Sequence, residues 1–183
     1  MVSKQKKFLI VGSGFGLRVL DKIAKKNKHI NHMHLSYRKF KKILITDFKL
    51  LDDYSHIHLA TPPFTHLEII NNLIDKGFKN KIICEKPLTN NLYSIKKLKN
   101  KKYKNLVHIS YQLRNLPLVQ YLKFNLNKKI GKVKFINIIH YTNLNNSKNH
   151  LSSWWYDYKN AGTQTYAVVS HFLDLLLFLN ILD

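Results

Sequence analysis

The chain has 183 residues, enough for one large domain or two small ones, and a formal charge of +21 from 31 Lys and Arg against 10 Asp and Glu. Hydrophobic residues make up 45% of it, which excludes a disordered chain in spite of the charge, and the single cysteine, Cys84, excludes an intrachain disulfide and any multi-cysteine zinc site. Only Arg18, Arg38 and Arg114 are arginines, and the lysines are spread along the whole chain beside abundant Asn and Ile. That spread, with no Cys/His finger and no basic zipper, argues against specific nucleic-acid recognition and for a compositional bias, with weak salt-sensitive binding of polyanions as its side effect. The apolar run Phe8–Val11 is too short for a signal-peptide core, and Tyr166–Leu182 is interrupted by Ser170, His171, Asp174 and Asn180. A soluble, cytoplasmic protein without a membrane span is the expectation.

In chain order, Phe8–Val11 reads as a buried strand, followed at once by glycines at 12, 14 and 16 and a helix marked by Leu17, Leu20, Ile23 and Ala24. Met33–Tyr37 is a second strand and Ile43–Ile45 a short third. Ile57–Ala60 is a buried strand stopped by Thr61-Pro62-Pro63, and Leu67, Ile70, Leu73 and Ile74 then recur at helical spacing up to a C-capping Gly77. Lys81–Cys84 is a strand stopped by Glu85-Lys86-Pro87, Leu92, Ile95 and Leu98 mark a helix, and Leu106–Ser110 is a strand. The alternation is that of an α/β protein with a doubly wound parallel sheet of about six strands over residues 6–115.

The pattern changes between residues 110 and 118, so the domains are drawn as 1–115 and 116–183. Leu118–Leu126 is a helix with Pro117 in its first turn, Val133–Tyr141 a β-branched and aromatic strand, Trp154-Trp155-Tyr156 an aromatic cluster, and Thr163–Leu182 a helix apolar on nearly all sides. One strand cannot form a sheet, so this region needs apolar partners from the first domain, from another chain, or from further sequence.

The chemistry-bearing residues gather at strand ends. Gly12 permits a tight turn, Gly14 clears room for a pyrophosphate beside Phe15, and Gly16 lets helix and strand pack closely, with free helix N–H groups for phosphate. The acid expected 24 residues after Gly12 for NAD is replaced by Ser36, and no acid occurs between Asp21 and Asp47. Ser36, Arg38 and Lys39 suit a 2′-phosphate, and Arg38 suits adenine stacking; the alternative is a solvated basic turn. Thr61, Pro62, Pro63 and His66, with Glu85, Lys86 and Pro87, lie at one sheet edge, where doubly wound folds bind ligands. Lys86-Pro87 is a candidate cis bond, and Lys86 a candidate proton donor or acceptor, against the plainer reading of a solvated turn. His171 and Asp174 share one face of the last helix, either as a site or as a packed ring.

The ordered set VGSGFG (11–16), IHLATPPFTH (57–66), IICEKPLT (82–89), SYQLRNLP (110–117), IGKV (130–133), SSWWYDYKNAG (152–162) and SHFLDLLLFL (170–179) resembles the Gfo/Idh/MocA family, the glucose–fructose oxidoreductase and inositol dehydrogenase type of NAD(P)-dependent oxidoreductase. The resemblance implies a Rossmann domain followed by an α+β substrate and dimerisation domain, incomplete here. It implies NADP or NAD as cofactor, no metal, a sugar-like substrate, a homo-oligomer at full length, and hydride exchange between nicotinamide and a secondary alcohol or ketone carbon in carbohydrate metabolism. Lys86 and His171 are then catalytic; Gly12, Gly14, Phe15, Gly16, Ser36, Arg38, Thr61, Pro62, Pro63, His66, Glu85 and Lys86 line the cofactor. Two departures set the chain apart. Ala167 stands where many members carry an aspartate, and the chain is about half a full family member. They imply weak or absent turnover and leave two other readings: a non-catalytic dinucleotide-binding remnant or fragment, and a subunit completed by another chain.

Overall fold

The computed structural model describes residues 7–91, 95, 101–141, 159 and 168–182. The chain divides into two compact units, Met1–Ser110 and Tyr111–Asp183.

The first unit holds strands β1 (Lys7–Val11), β2 (Asn31–Leu35), β3 (His56–Leu59), β4 (Lys81–Glu85) and β5 (Val107–Ser110). Their order is β2-β1-β3-β4-β5 and every pairing is parallel. Helices α1 (Asp21–Lys26, entered through a wide turn at Gly16–Leu20), α2 (Tyr37–Thr46), α3 (Pro63–Asp75) and α4 (Lys101–Leu106) connect them. The strand reversal at β1 and the parallel pairing make this a Rossmann-type sheet of five strands.

Side chains alternate along each strand, so register sorts the sheet into two unlike faces. One face carries Leu9, Val11, Ile57, Leu59, Ile82 and Cys84, all buried against Phe40 and Leu44 of α2 and Ile69, Ile70, Leu73 and Ile74 of α3. The other carries Phe8 and Ile10 of β1, flanked in register by His32 and His34 on β2 and by His56 and His58 on β3, with Ile83, Glu85 and His108 further along. Buried parallel sheets are ordinarily apolar on both faces, so a row of histidines here is a property of this chain rather than of the architecture.

The expected strand at Ile43–Ile45 is helix α2, which is why the sheet has five strands and not six. Phe40, Ile43 and Leu44 recur at helical spacing, Phe40 and Leu44 are buried, and Ser36 caps the start by accepting the Lys39 N–H at 3.4 Å. A capped amphipathic helix overrides the β-propensity of the two β-branched residues, Ile43 and Ile45. Helix α3 starts on Pro63, whose fixed φ suits the first turn. It closes in a Schellman motif: Gly77 at φ +90° donates to Ile74, and Phe78 donates to Leu73 and is itself buried.

Asp21 ties α1 to the histidine face. Its buried carboxylate lies 2.7 Å from Lys25 Nζ and 3.0 Å from His32 Nε2. The Lys25 hydrogen bond, ahead of the opposing effect of burial and the bond from His32, holds the carboxyl below its ordinary value of 3.8. A carboxyl held low in the folded state contributes stability that is whole above 3.8 and is lost as pH falls through the lower folded value. Asp21→Asn is expected to lower the Tm by about 3–6 °C at neutral pH. The gap between variant and parent should close in acid, which thermal unfolding across that pH range checks.

In the second unit, helix α5 (Pro117–Ile130) begins on a proline and ends at Gly131, φ +72°, and α6 spans Ser170–Phe178. For the strand expected at Val133–Tyr141, no ladder is found among the described residues. Phe135, Ile138, Ile139 and Tyr141 of this segment are exposed. Trp154, Trp155, Tyr156, Leu92, Leu98 and Ala167 lie outside the described residues. Among those described, no helix is long and apolar enough to cross a membrane.

Candidate functional site

Because β1, β3 and β4 run parallel as neighbours, the segments after them meet at one edge of the sheet. After β1, Gly12 takes φ +130°, donates its N–H to the Leu35 carbonyl at 3.0 Å and passes so close to β3 that an added Cβ would lie 2.1 Å from the Ala60 oxygen. Only glycine meets both demands. At Gly14 an added Cβ would meet nothing nearer than Arg18 Nη2 at 3.9 Å, so the turn is open above it. At Gly16 it would touch Ala60 Cβ at 3.3 Å and Ile10 Cγ2 at 3.4 Å, so Gly16 sets the close approach of helix to sheet. No side chain caps the helical turn that starts at Gly16, and Ser13, Phe15 and Leu17 are exposed around it. An open cradle facing uncapped helical N–H groups fits a pyrophosphate.

At the end of β2, Ser36 is committed to capping α2, and Arg38 and Lys39 are exposed in that helix's first turn, which carries no acid. Two cations at the positive end of a helix are electrostatically unfavourable unless an anion joins them.

The turn after β3 is braced from within. The Thr65 hydroxyl donates to the Pro62 carbonyl at 2.8 Å and lies 2.7 Å from the Thr61 hydroxyl. His66, on the first turns of α3, is fully buried, with Nε2 2.8 Å from the Thr61 carbonyl and Nδ1 3.0 Å from the Pro87 carbonyl. It spans the turns after β3 and β4, and burial pushes its pKa down against the pull of those two carbonyls. Any influence of His66 on a ligand therefore passes through the turns it joins.

After β4, Lys86-Pro87 is cis. Lys86 is half-buried; burial lowers its pKa, and the neighbouring Glu85 charge opposes that shift. Glu85 is buried, with a carboxylate oxygen 3.1 Å from His58 Nε2. Cys84 lies on the apolar face, where burial first and the Glu85 charge second push its thiol far above the usual range, so it stays a thiol.

His171 belongs to the second unit. Its ring meets Tyr111 edge-on at 5.8 Å between centroids. One turn later the buried Asp174 takes a bidentate pair from Arg114, with Nε to Oδ2 at 2.7 Å. The Arg114 guanidinium also lies 5.1 Å over the Phe178 ring. Asp174 raises the Arg114 pKa, and burial, ahead of the Asp174 charge, raises that of Tyr111. The structure thus brings Gly12–Gly16, Thr61–Pro63, His66 and Glu85–Lys86 together within the first unit.

Sequence reading missed His34, which donates to the Gly12 carbonyl at 2.8 Å, as well as His58 and Arg114. The usable signal was alternation: NHMHL and HIHL place every histidine of two strands on one face.

The model of the Gfo/Idh/MocA family, described as an oxidoreductase family with an NAD-binding Rossmann fold, matches residues 18–111, half of the chain. Among solved structures, the chain is similar to an inositol dehydrogenase homologue from Azotobacter vinelandii complexed with NAD+. Identity is 18% over 97% of this chain and 54% of that one, with a TM-score of 0.70. A levoglucosan dehydrogenase in complex with NADH and levoglucosan matches at 18% identity over 96% of this chain and 54% of that one, TM-score 0.65. The WlbA (WbpB) dehydrogenase from Thermus thermophilus, in complex with NAD and UDP-GlcNAcA, matches at 20% identity over 95% and 62%, TM-score 0.63. The chain therefore spans little more than half the length of these proteins. No curated protein sequence matches it. The parallel sheet, its glycine turn and the family match over half its length place this chain in the Gfo/Idh/MocA oxidoreductase family, as a bearer of that family's NAD-binding Rossmann fold.

Proposed function

We propose that the first domain, residues 1–115, binds NADP or NAD for an oxidoreductase acting on a sugar, polyol or nucleotide sugar, and that 116–183 opens a substrate and dimerisation domain. The observation that carries the reading is the Gly14 cradle, open above a helical turn that no side chain caps and backed by a glycine that no other residue can replace. A bound dinucleotide would supply a nicotinamide carbon that accepts or gives hydride.

In this reading Gly12, Gly14, Phe15 and Gly16 hold the pyrophosphate. Thr61, Pro62, Pro63, His66, Glu85 and Lys86 shape the nicotinamide end, His66 by fixing the two turns. Lys86 holds or moves the substrate hydroxyl proton, since burial brings its ammonium nearer to release. His171 is the second proton-handling group. Arg38 and Lys39 at the α2 N-terminus favour NADP over NAD, because a 2′-phosphate turns two unfavourably placed cations into ligands. Ser36 would assist with its hydroxyl while keeping its cap. The buried free thiol Cys84 fits a reducing, cytoplasmic setting.

Calorimetric titration with both cofactors tests this. NADP(H) is expected to bind more tightly. Arg38→Ala should weaken it about tenfold while leaving NAD(H) nearly unchanged, the effect of losing one charge-assisted bond. Binding of neither cofactor would remove the site. Turnover is followed by nicotinamide absorbance with sugars, inositols and nucleotide sugars. Cofactor binding without turnover would favour the remnant reading, or a subunit completed by another chain. Native mass with and without added partner chains separates those two.

A further inference from the structure

The histidine face contains one contact that reaches the candidate chemistry. His58 pairs in register with Ile83, so Glu85 lies two residues further along β4 on the same face, and the ring meets its carboxylate at 3.1 Å across the two strands. Both side chains are largely buried, at 19% and 11% exposure, so the contact is little screened by solvent. The next residue after Glu85 is Lys86, whose ammonium the same carboxylate stabilises against burial.

The other titratable groups nearby have their own partners. On the same face His34 is bound to the Gly12 carbonyl, His56 to Ser55 Oγ at 3.0 Å, and Lys81 to His108 at 3.3 Å. From α1, Asp21 is engaged by Lys25 and His32. On the far side of the turn, His66 spans the Thr61 and Pro87 carbonyls. His58 meets the Glu85 carboxylate directly, at the residue next to Lys86.

We propose that His58 is a positioning residue for Lys86: by donating its Nε2–H to Glu85 across the β3–β4 pair, it takes a share of that carboxylate and sets how much of the charge Lys86 retains. The inference deepens the oxidoreductase reading and rests on it for the task given to Lys86. Without His58, Glu85 loses a donor and turns its charge more fully to the ammonium. Lys86 then holds its proton more firmly and is a poorer nucleophile at a given pH.

The test is competitive acylation of Lys86 in the whole 183-residue chain at mildly alkaline pH, read by mass spectrometry, without cofactor or substrate. His58→Val, which suits a strand, is expected to slow labelling about threefold, equivalent to half a pH unit in the Lys86 midpoint. His58→Gln, which keeps an N–H donor, should restore most of the rate. Glu85→Gln should speed labelling, and adding His58→Val to it should change nothing further. Parental labelling in His58→Val, or a His58→Val effect that persists beside Glu85→Gln, would overturn the proposal. Should His58→Val fail to fold, unchanged labelling in Glu85→Gln would overturn it as well. A chain that labels as expected yet binds no dinucleotide would leave the proposal standing and remove the oxidoreductase reading, so the two failures are distinguishable.

Discussion

Gly12→Ala is expected to abolish the folded first unit, and Gly14→Ala to leave it intact. At Gly12 the new methyl would sit 2.1 Å from the Ala60 oxygen and 2.6 Å from its carbonyl carbon, and both belong to backbone that cannot swing aside. The residue would also be forced to φ +130°, which L side chains rarely adopt. Relief requires pulling β3 from β1, where Ala60 donates to the Val11 carbonyl at 2.8 Å. Overpacking and strain together put the loss at about 4 kcal/mol or more, a large part of a domain's whole stability. At Gly14 the same methyl has Arg18 Nη2 at 3.9 Å as its nearest neighbour and leaves stability within about 1 kcal/mol. It would instead project into the open cradle, so dinucleotide affinity should fall at least about tenfold, the loss of roughly 1.4 kcal/mol of contact. Urea unfolding and calorimetric titration of both variants check this. A stable Gly12→Ala would mean that the turn can move, and parental affinity in Gly14→Ala would mean that the cradle is not where phosphate binds.

His66→Leu should produce the second largest effect. Leucine fills most of the volume but offers no donor, so the carbonyls of Thr61 and Pro87 lose the group that joins them. The neutral ring carries one N–H and so donates to one of these carbonyls at a time; leaving it without a partner costs about 1–3 kcal/mol, so the variant should lose roughly that much and bind dinucleotide more weakly, because the turns it joined drift apart. The parent also carries a pH signature. Burial holds the folded-state pKa of His66 below its ordinary 6.5. Its contribution is therefore whole above pH 6.5 and is lost as pH falls through the lower folded value, because the unfolded chain binds the proton first. His66→Leu should flatten that slope in the stability profile. Equal slopes in parent and variant, with equal affinity, would show that the two turns hold their places without the ring.

Much of the fold was legible in the sequence because it is written in short-range patterns. Apolar runs of four or five residues ending in Gly12, in Thr61-Pro62-Pro63 and in Glu85-Lys86-Pro87 identify strands and their ends, and helical spacing between them makes the strands parallel. Parallel strands put those ends on one edge, so the candidate site followed from order alone. The same reasoning misassigned Ile43–Ile45. The β-branched Ile43 and Ile45 favour a strand locally, but the Ser36 cap and the burial of Phe40 and Leu44 against the sheet outweigh that preference.

By itself the sequence determined the α/β class, the positions of the sheet-edge turns and the need for glycine at the first of them, since each depends on residues within a few positions of one another. Only the tertiary structure decided what holds those turns: His34 on Gly12, His58 on Glu85 and His66 between Thr61 and Pro87, partners 22, 27, 5 and 21 residues apart. The physical reason is register. Whether a side chain on one strand meets a carboxylate on the next depends on which residues lie opposite, and a shift of one residue sends every side chain to the other face. That alignment is settled by packing the whole sheet against its helices, and no segment of the chain carries it alone.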